Sequence, residues 1–301
     1  MSLEHSDQHD AGLEPLPAGL YVVATPLGRL ADLSLRASEV LRRVDVVAAE
    51  DTRTSRVLLD HLGTRPRMVA THQHNEAQTA QRIVGFLQEG LRVALISDAG
   101  TPGISDPGAR VVAAVHDAGL PVIPVPGPAA VTALLSVAGL LHPRFHFEGF
   151  LPARPKARRD RLLALARHDA VLVLYESPHR IEETAADLAA VLEPERVVVV
   201  GRELTKRFEQ IRRLSAGTLP AWLAEHTDHR RGEFVLAIDA APQASAAVEA
   251  SDALLIALCE ALPLRQAAQV AARATGGRVN ALYERALALQ NRSGAPGSES
   301  D

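Results

Sequence analysis

Cysteine and lysine are both scarce in this sequence, and each shortage narrows the possible functions. Cys259 is the only cysteine, so the chain forms no internal disulfide and offers no paired thiolates for zinc. Of the 32 basic residues, only Lys156 and Lys206 are lysine. A single cysteine is typical of a reducing compartment, and we therefore expect a cytoplasmic protein.

Long apolar runs and a positive net charge are missing as well. No stretch approaches the roughly 20 apolar residues of a membrane span. The first eighteen residues are polar and acidic, without the basic start and apolar centre of a secretory signal. The net charge of −4 argues against a protein that coats nucleic acid by charge alone. We expect no membrane association and no export, and any RNA contact must come from local basic patches.

Short apolar runs alternate with amphipathic stretches, which predicts βαβ units and an α/β fold with a largely parallel sheet. Before residue 130 the predicted strands are Leu20–Thr25, Asp45–Ala49, Arg67–Thr71, Arg92–Ser97 and Pro121–Val125. The helices predicted among them include Ser34–Arg43 and Glu76–Glu89. A second set of strands comprises Phe145–Gly149, Ala170–Tyr175, Arg196–Gly201 and Gly232–Ile238. Its helices are predicted near Arg158–Arg167, His179–Leu192 and Leu219–His226.

These patterns divide the chain into five parts. An N-terminal α/β domain is predicted over residues 19–140 and a C-terminal α/β domain over 141–240, after a disordered tail at 1–18. The alanine-rich stretch Ala240–Glu249 is interpreted as a linker. A helical module over 250–291 contains a helix from about Ser251 and then a helical pair separated by Gly276-Gly277, and residues 292–301 form a second disordered tail.

Three loops rich in glycine and proline directly follow predicted strands, where open α/β sheets bind their ligands. They are Thr25–Gly28, Ser97–Gly108 and Pro126–Ala130. Proline fixes φ and glycine permits close approach of a ligand to the backbone, so these loops are stiff and tight. Ordinary turns are the alternative interpretation, most of all for Thr25–Gly28.

None of these loops has the sequence of a common phosphate cradle. The chain has no G-x-G-x-x-G after the first strand and no GxxxxGK[ST], which disfavours nicotinamide cofactors and nucleoside triphosphates. A ligand held by backbone groups of several loops, without a diphosphate, fits an adenosine that carries an amino-acid tail. S-adenosylmethionine is such a ligand.

Six motifs in chain order resemble one family, the bacterial 16S ribosomal RNA (cytidine 2′-O)-methyltransferases of the tetrapyrrole-methylase (class III methyltransferase) superfamily. They are EDTR at 50–53, SDAGTPGISDPG at 97–108, PGPAA at 126–130, FEGFLP at 147–152, YESPHR at 175–180 and RELTKRFE at 202–209. The terminal helices also resemble that family's small C-terminal module. The first loop departs from the pattern, because Arg29 and Ala31 stand where the family has an asparagine and a second glycine.

The resemblance implies a fold and an activity. The expected fold is an open, mostly parallel N-terminal sheet, a mixed C-terminal sheet and an appended helical module, in a homodimer. The expected activity is methylation of the ribose 2′-O of a cytidine in the decoding region of 16S rRNA, within the small ribosomal subunit. By this resemblance the S-adenosylmethionine contacts fall on Pro26, Asp98, Ala99, Gly100, Thr101, Ala129, Ala130, Tyr175 and Leu204.

Methyl transfer from a sulfonium is an in-line displacement, so alignment is the main demand on the protein and no metal is expected. A base, or a cation that stabilises the forming alkoxide, would help a 2′-hydroxyl to react. The candidate bases are Glu50, Asp51 and Glu176, and the candidate cations are Lys206, Arg53 and Arg180. Of these, Lys206, Glu50 and Glu176 are our predicted catalytic residues. A metal site at His72, His74 and Glu76 is the alternative, but no further ligand motif accompanies it.

Basic residues near these motifs are candidates for RNA binding. The predicted contacts are Arg53, Lys156, Arg158, Arg159, Arg161, His179, Arg180 and Arg207. Such runs are also typical of a solvated face, and His179 could cap a helix. The two other hypotheses for function are methylation of a tetrapyrrole or another small metabolite, and a catalytically inactive ribosome-associated binding protein.

Overall fold

The computed structural model describes residues 15–72, 75–241, 243–275 and 278–293. Most of the two predicted tails, and the predicted helix stop at Gly276-Gly277, lie outside these ranges. In the described part of the chain, two five-stranded β-sheets are followed by three helices. No helix in these ranges is long and apolar enough to cross a membrane.

The first sheet is built from alternating strands and helices. Its elements are β1 (Gly19–Val23), α1 (Leu35–Arg43), β2 (Val46–Ala49), α2 (Thr52–His61), β3 (Arg67–Ala70), α3 (Glu76–Gln88), β4 (Arg92–Ile96), α4 (Ala109–Asp117), β5 (Val122–Val125) and α5 (Ala130–Ala138). The strand order is β3-β2-β4-β1-β5, and every pair is parallel. All five carboxyl ends therefore lie at one edge of the sheet.

Helices cover both faces of this sheet because side chains alternate along each strand. Helices α1 and α2 pack on the face that includes Val47, and α3 and α4 pack on the face that includes Val46. The neighbouring strands β2 and β4 thus send the chain to opposite faces. Open sheets form a crevice at such a switch point, outside the carboxyl ends of the strands.

The second sheet is mixed. Its elements are β6 (Phe145–Phe150), α6 (Pro155–Leu165), β7 (Val171–Glu176), α7 (Ile181–Val191), β8 (Val197–Arg202), β9 (Gln210–Ser215), α8 (Leu219–Glu225) and β10 (Phe234–Ile238). The order is β6-β7-β10-β8-β9, with β6 and β7 parallel and the other pairs antiparallel. Helices α6, α7 and α8 cover one face, and α5 covers the other with Val131 and Leu134. Helix α5 therefore joins the two sheets.

The chain then forms α9 (Gln243–Ala261), α10 (Leu264–Thr275) and α11 (Val279–Ser293). Their core contains Leu255, Leu282 and a row of alanines on α10. Small side chains let the helices approach closely. The guanidinium of Arg285 on α11 donates two hydrogen bonds to the Asp252 carboxylate on α9, at 2.9 and 2.7 Å.

The predicted fold class is confirmed: a parallel sheet, a mixed sheet and C-terminal helices. The predicted boundary between residues 140 and 141 lies between α5 and β6. The predicted linker Ala240–Glu249 is wrong from Gln243 onward, because α9 begins there. Alanine has the highest intrinsic helix propensity, so an alanine-rich stretch favours a helix over a flexible linker. Strand β9 was not predicted.

Candidate active site

A cavity of about 460 Å³ opens between the two sheets. On one side it is lined by the loops after β1, β2 and β4 and by the start of α5. On the other side it is lined by the ends of β6, β7 and β8 and by the start of β10. The residues that line the cavity include Leu27, Glu50, Asp98, Ala99, Gly100, Thr101, Ile104, Asp106, Ala129, Ala130, Phe150, Tyr175, Glu176, Leu204 and Glu233.

Hydrogen bonds hold the three glycine- and proline-rich loops together as one wall. Thr25 and Gly100 exchange two backbone hydrogen bonds, of 2.8 and 3.0 Å. The Thr101 hydroxyl donates to the carbonyl of Pro128 at 3.0 Å. Gly100 has φ of +82°, in the left-handed region that glycine adopts readily, and a Cβ there would lie 3.3 Å from Leu27 Cδ2. The wall is therefore backbone at its centre and fixed in position.

Carboxylates give this wall an acidic character. Burial, and then the nearby charge of Glu50, raise the pKa of Asp106 to about 6. Burial and the charge of Asp98 raise the pKa of Glu50, and burial raises the pKa of Asp98. Each of these carboxylates is less stable in its charged form than it would be in water. A cationic ligand in the cavity would relieve that cost.

Aromatic rings form part of the opposite wall. The ring centroid of Tyr175 lies 4.9 Å from that of Phe147 and 5.8 Å from that of Phe150, both edge to face. Phe150 lines the cavity and is still 52% exposed, so its ring borders the opening. This wall is largely apolar.

Glu176, at the end of β7, is buried and already has partners for both carboxylate oxygens. Oε1 accepts a hydrogen bond from the Ser177 backbone N–H at 2.8 Å, and Oε2 accepts one from the Thr184 hydroxyl at 2.7 Å. Arg180 lies 3.4 Å from Oε2. These contacts hold the start of α7 against the sheet.

The side chain of Lys206, which follows strand β8, reaches the loop after β1. Its ammonium donates to Glu203 at 3.0 Å and to Glu233 at 2.9 Å. Burial acts to lower the pKa of Lys206, but hydrogen bonds and charge from the two glutamates raise it overall. A Cβ on Gly28 would lie 2.3 Å from Lys206 Cγ, so the lysine stem lies directly against the loop after β1.

The cavity brings together most of the predicted donor contacts and two of the predicted catalytic residues. Asp98–Thr101, Ala129, Ala130, Tyr175 and Leu204 line it, as do Glu50 and Glu176. Leu27 lines it where Pro26 was predicted, and Lys206 is not among its lining residues. Sequence reasoning missed Asp106, Ile104, Phe150 and Glu233. For Asp106 a signal existed, since it belongs to the motif SDAGTPGISDPG.

One predicted RNA contact lies in the core and not on the surface. Arg158 was expected on an exposed surface, but its side chain is 2% exposed. Its guanidinium donates to Asp187 at 2.6 Å and to Glu183 at 2.9 Å, both on α7. Arg158 shares the buried face of α6 with Leu162 and Leu165, which fixes it in the core between α6 and α7. It is not placed to contact phosphate.

The other predicted RNA contacts differ in their surroundings. Arg161 donates two hydrogen bonds to Glu148, at 2.6 and 2.7 Å. Arg180 donates to the carbonyl of Leu151, and Arg53 is paired with Asp51. The exposed side chains are those of Arg53, Lys156, Arg159, Arg161, His179 and Arg207. Lys156 and Arg159 on α6 and Arg207 in the turn before β9 therefore remain predicted RNA contacts.

Within the described ranges, no group of three or more His, Cys, Asp or Glu side chains is arranged to hold a metal ion. His74, part of the alternative metal site, lies outside them.

Two family models match the chain. Residues 19–220 match the model described as Tetrapyrrole (Corrin/Porphyrin) Methylases. The chain belongs to this family. Residues 245–290 match a second model, described as the RsmI C-terminal HTH domain. This second match covers most of α9, all of α10 and most of α11.

Relatives in several bacteria are similar to the chain over nearly its whole length. A protein of Escherichia coli O157:H7 is 47% identical over 272 residues, which is 90% of this chain and 95% of the relative. A protein of Xylella fastidiosa is 48% identical and covers 89% of this chain and 98% of its own length. Both are named ribosomal RNA small subunit methyltransferase I. The family predicted from the six motifs is confirmed.

Solved structures with the same fold are more distant in sequence. Uroporphyrin-III-C-methyltransferase from Thermus thermophilus has a TM-score of 0.53 at 23% identity and covers 74% of this chain and 94% of its own. Diphthine synthase has a TM-score of 0.57 at 16% identity, covering 73% and 89%. A uroporphyrin-III C-methyl transferase complexed with S-adenyl homocysteine has a TM-score of 0.53 at 18% identity, covering 73% and 97%. These likenesses concern the fold.

Proposed function

We propose that the chain transfers a methyl group from S-adenosylmethionine to the ribose 2′-oxygen of a cytidine in the decoding region of 16S rRNA. The observation that carries the proposal is identity of 47% with a protein named ribosomal RNA small subunit methyltransferase I, over nine-tenths of both chains. The two family models match residues 19–220 and 245–290, which include both sheets' strands up to β9 and the C-terminal helices. The cavity supplies the physical support.

The chemistry of the cavity fits S-adenosylmethionine. The donor carries a positive sulfonium and a positive ammonium, and the wall that faces it carries Glu50, Asp98 and Asp106. A volume of about 460 Å³ suits a ligand of this size. Gly100, which has a positive φ, carries no side chain, so the centre of the wall consists of backbone. The proposed donor contacts are Pro26, Asp98, Ala99, Gly100, Thr101, Ala129, Ala130, Tyr175 and Leu204.

When bound, the donor supplies an electrophilic methyl group. The loops after β1, β4 and β5 would fix its position, and the aromatic wall around Tyr175 and Phe150 would exclude water. Alignment of this kind is the largest contribution a protein makes to a displacement reaction. Glu50 borders the cavity as part of its acidic wall. Lys206, held between Glu203 and Glu233, would keep the second half of the molecule in register with the loop after β1.

RNA would reach the cavity across exposed cations. Lys156 and Arg159 on α6 and Arg207 before β9 have exposed side chains. Such side chains would bind phosphates around the target nucleotide without reading its sequence. We propose the small ribosomal subunit as the substrate, the cytoplasm as the location and a homodimer as the working form. Light scattering of the purified protein tests the last of these.

A methylation assay tests the proposed function. The purified protein is incubated with S-adenosylmethionine carrying a deuterated methyl group, together with 30S particles, free 16S rRNA or a tetrapyrrole precursor. Mass spectrometry of nuclease digests should find deuterated 2′-O-methylcytidine in the RNA. Label in the tetrapyrrole alone would favour a small-molecule methyltransferase. Donor binding without label in any substrate would favour a ribosome-associated binding protein.

A further inference from the structure

Asp106 lies in a strained loop that lines the cavity. It follows Ser105, whose φ of +67° lies in the left-handed region that non-glycine residues adopt at a cost. Backbone strain of this kind persists only where the surrounding structure enforces it. Residues 97–108 join β4 to α4, and in the second half of this loop, residues 103–108, Asp106 is the one side chain with a carboxylate.

Contacts on both sides enforce the position of this loop. On one side, strand β6 has an irregular register between Phe147 and Gly149, and a Cβ on Gly149 would lie 2.8 Å from Ser105 Oγ. On the other side, Oε1 of the buried Glu76 accepts hydrogen bonds from the backbone N–H groups of Gly108 and Arg110, at 2.8 and 2.9 Å. Both sheets therefore determine where the Asp106 carboxylate lies.

Charged and polar groups from several elements surround Asp106. Glu50 follows β2, Asp98 follows β4 and Glu233 precedes β10, and all three act to raise the pKa of Asp106. The Ser97 hydroxyl hydrogen-bonds to it and acts to lower that pKa. Tyr175 on β7 also feels the Asp106 charge, and the Lys206 ammonium is held at 2.9 Å from Glu233. With burial as the largest cause, the pKa of Asp106 is about 6.

The other carboxylates near the cavity are worse placed to accept a proton. Glu50 accepts a hydrogen bond from the Asp98 backbone N–H, and Glu233 accepts one from Lys206. Asp51 bonds Arg53, which holds the pKa of Asp51 at about 2 and makes it a weak base. Both oxygens of Glu176 accept hydrogen bonds at the start of α7. Asp98 accepts a hydrogen bond from the Asp51 backbone N–H at 3.1 Å. Asp106 lines the cavity, has a fixed position and accepts a hydrogen bond from the Ser97 hydroxyl.

We propose that Asp106 is the catalytic residue that accepts the proton of the attacking ribose 2′-hydroxyl, an inference that rests on the proposed function. In this step the O2′–CH₃ bond forms, the S–CH₃ bond breaks, and the sulfonium becomes a neutral thioether. The 2′-hydroxyl proton passes to the Asp106 carboxylate, which becomes a carboxylic acid. After the products leave, the acid returns its proton to water. A positioned base of this kind contributes about a hundredfold or more to a rate.

The experiment measures methylation of 30S particles by the parent and by three variants. Asp106→Asn removes the base and keeps the shape. Asp106→Glu restores a carboxylate. Asp117→Asn makes the same chemical change at an exposed position at the end of α4 and serves as the matched control. Donor affinity is measured by calorimetry for each protein, and kcat and KM are measured from pH 5 to pH 9.

The parent should lose kcat/KM as the pH falls through about 6, where the free enzyme takes up a proton on Asp106. The corresponding step in kcat should lie at lower pH, because the bound sulfonium favours the carboxylate. Asp106→Asn should lower kcat, measured at saturating donor, by at least a hundredfold and abolish the step. Its loss of donor affinity should be much smaller than its loss of kcat, because Glu50 and Asp98 keep the wall acidic. Asp106→Glu should recover part of kcat together with a step, and Asp117→Asn should match the parent.

Two results would overturn the inference while leaving the proposed function intact. One is an Asp106→Asn variant that keeps kcat within threefold of the parent and loses kcat/KM at acidic pH as the parent does. The other is a variant whose loss of activity follows a matching loss of donor affinity, which would make Asp106 a partner of the donor's positive charge. A parent that methylates no RNA would overturn both the inference and the proposed function.

Discussion

At the scale of single residues, the candidate site brings several carboxylates close together, which lowers the stability of the folded protein. Glu50, Asp98 and Asp106 approach one another at the carboxyl edge of the first sheet, and the pKa of each is raised, with burial as the largest cause. Their charged forms therefore cost folding free energy when no cation is bound. The same arrangement favours a cationic donor, so affinity for the ligand and stability of the free protein oppose each other.

Asp106→Asn should therefore raise the thermal midpoint of the ligand-free protein at pH 7.5. In the folded state the pKa of Asp106 is about 6, against 3.8 for an ordinary aspartate. The favourable contribution of the protonated form is complete below about pH 3.8 and is lost as the pH rises through about 6. The asparagine is neutral throughout, so its advantage over the parent should grow across that window and then stay constant.

Scanning calorimetry between pH 4 and pH 8 checks this expectation. Asp117→Asn, at an exposed position, should shift the midpoint by the same small amount at every pH. A midpoint for Asp106→Asn below the parent's at pH 7.5 would show that the carboxylate stabilises the folded state.

Gly100→Val should weaken donor binding at least tenfold while the protein remains folded. A left-handed backbone costs a non-glycine residue about 1–2 kcal/mol, and the added side chain would enter the cavity next to Leu27. Gly103→Val is the matched control, because Gly103 has nearly the same φ of +80° with nothing within 4 Å of its Cβ position. Calorimetric titration with S-adenosylmethionine compares the two variants, and equal affinities would remove Gly100 from the site.

At the scale of elements, helix α6 shows how a charged segment divides its side chains between core and solvent. Lys156 and Arg159 are exposed, whereas Arg158 is turned inward and bound by Asp187 and Glu183 of α7. Residues three and four apart share a face of a helix, so Arg158, Leu162 and Leu165 face the core together. The ion pairs thereby fix the position of α6 against α7.

Arg158→Ala should lower the free energy of unfolding by about 3 kcal/mol, because it removes the buried guanidinium from Asp187 and leaves that largely buried carboxylate only the exposed Arg159, at 3.5 Å. Arg159→Ala, one position further along α6 and 55% exposed, should change it by less than about 0.5 kcal/mol. Urea denaturation followed by circular dichroism measures both. A loss below 1 kcal/mol for Arg158→Ala would mean that water readily replaces the guanidinium.

At the scale of the whole molecule, the cavity exists only because two sheets meet. Helix α5 leaves the first sheet and packs on the second, Lys206 contacts Gly28, and Gly149 contacts Ser105. Each contact joins residues that are far apart in sequence. The cavity is therefore a property of the complete fold, and of neither sheet alone.

Binding of 30S particles should depend on the exposed cations of α6 and not on basic residues at the far edge of the first sheet. Lys156→Glu should weaken RNA binding and reduce the slope of log K against log salt by about 1. Arg65→Glu reverses a charge at the opposite edge, before β3, where Arg65 is 83% exposed. It should leave both quantities unchanged.

Filter binding at several salt concentrations measures both variants, and calorimetry should show parental donor affinity for each. Equal behaviour of the Lys156 and Arg65 variants would move the RNA surface away from α6.

Local pattern was enough to predict most of the secondary structure and one wall of the site. Apolar runs followed by glycine- and proline-rich loops predicted β1, β4 and β5 together with the loops that line the cavity, because strand length, turn chemistry and ligand approach are all properties of adjacent residues. Strand β9 was not predicted because Gln210–Ser215, with the sequence QIRRLS, has two arginines between its two apolar residues and so carries no apolar run. It becomes a strand by pairing with β8.

The sequence by itself determined the α/β class, the order of the motifs and the family, since each depends on residue types at fixed local spacing. Only the tertiary structure decided which charged side chains are buried and which are free. Arg158 became a core residue through Asp187, Lys206 became a contact between the two halves, and Asp106 became the carboxylate with the most strongly raised pKa at the cavity. Burial and charge depend on neighbours that the fold brings together from distant parts of the chain.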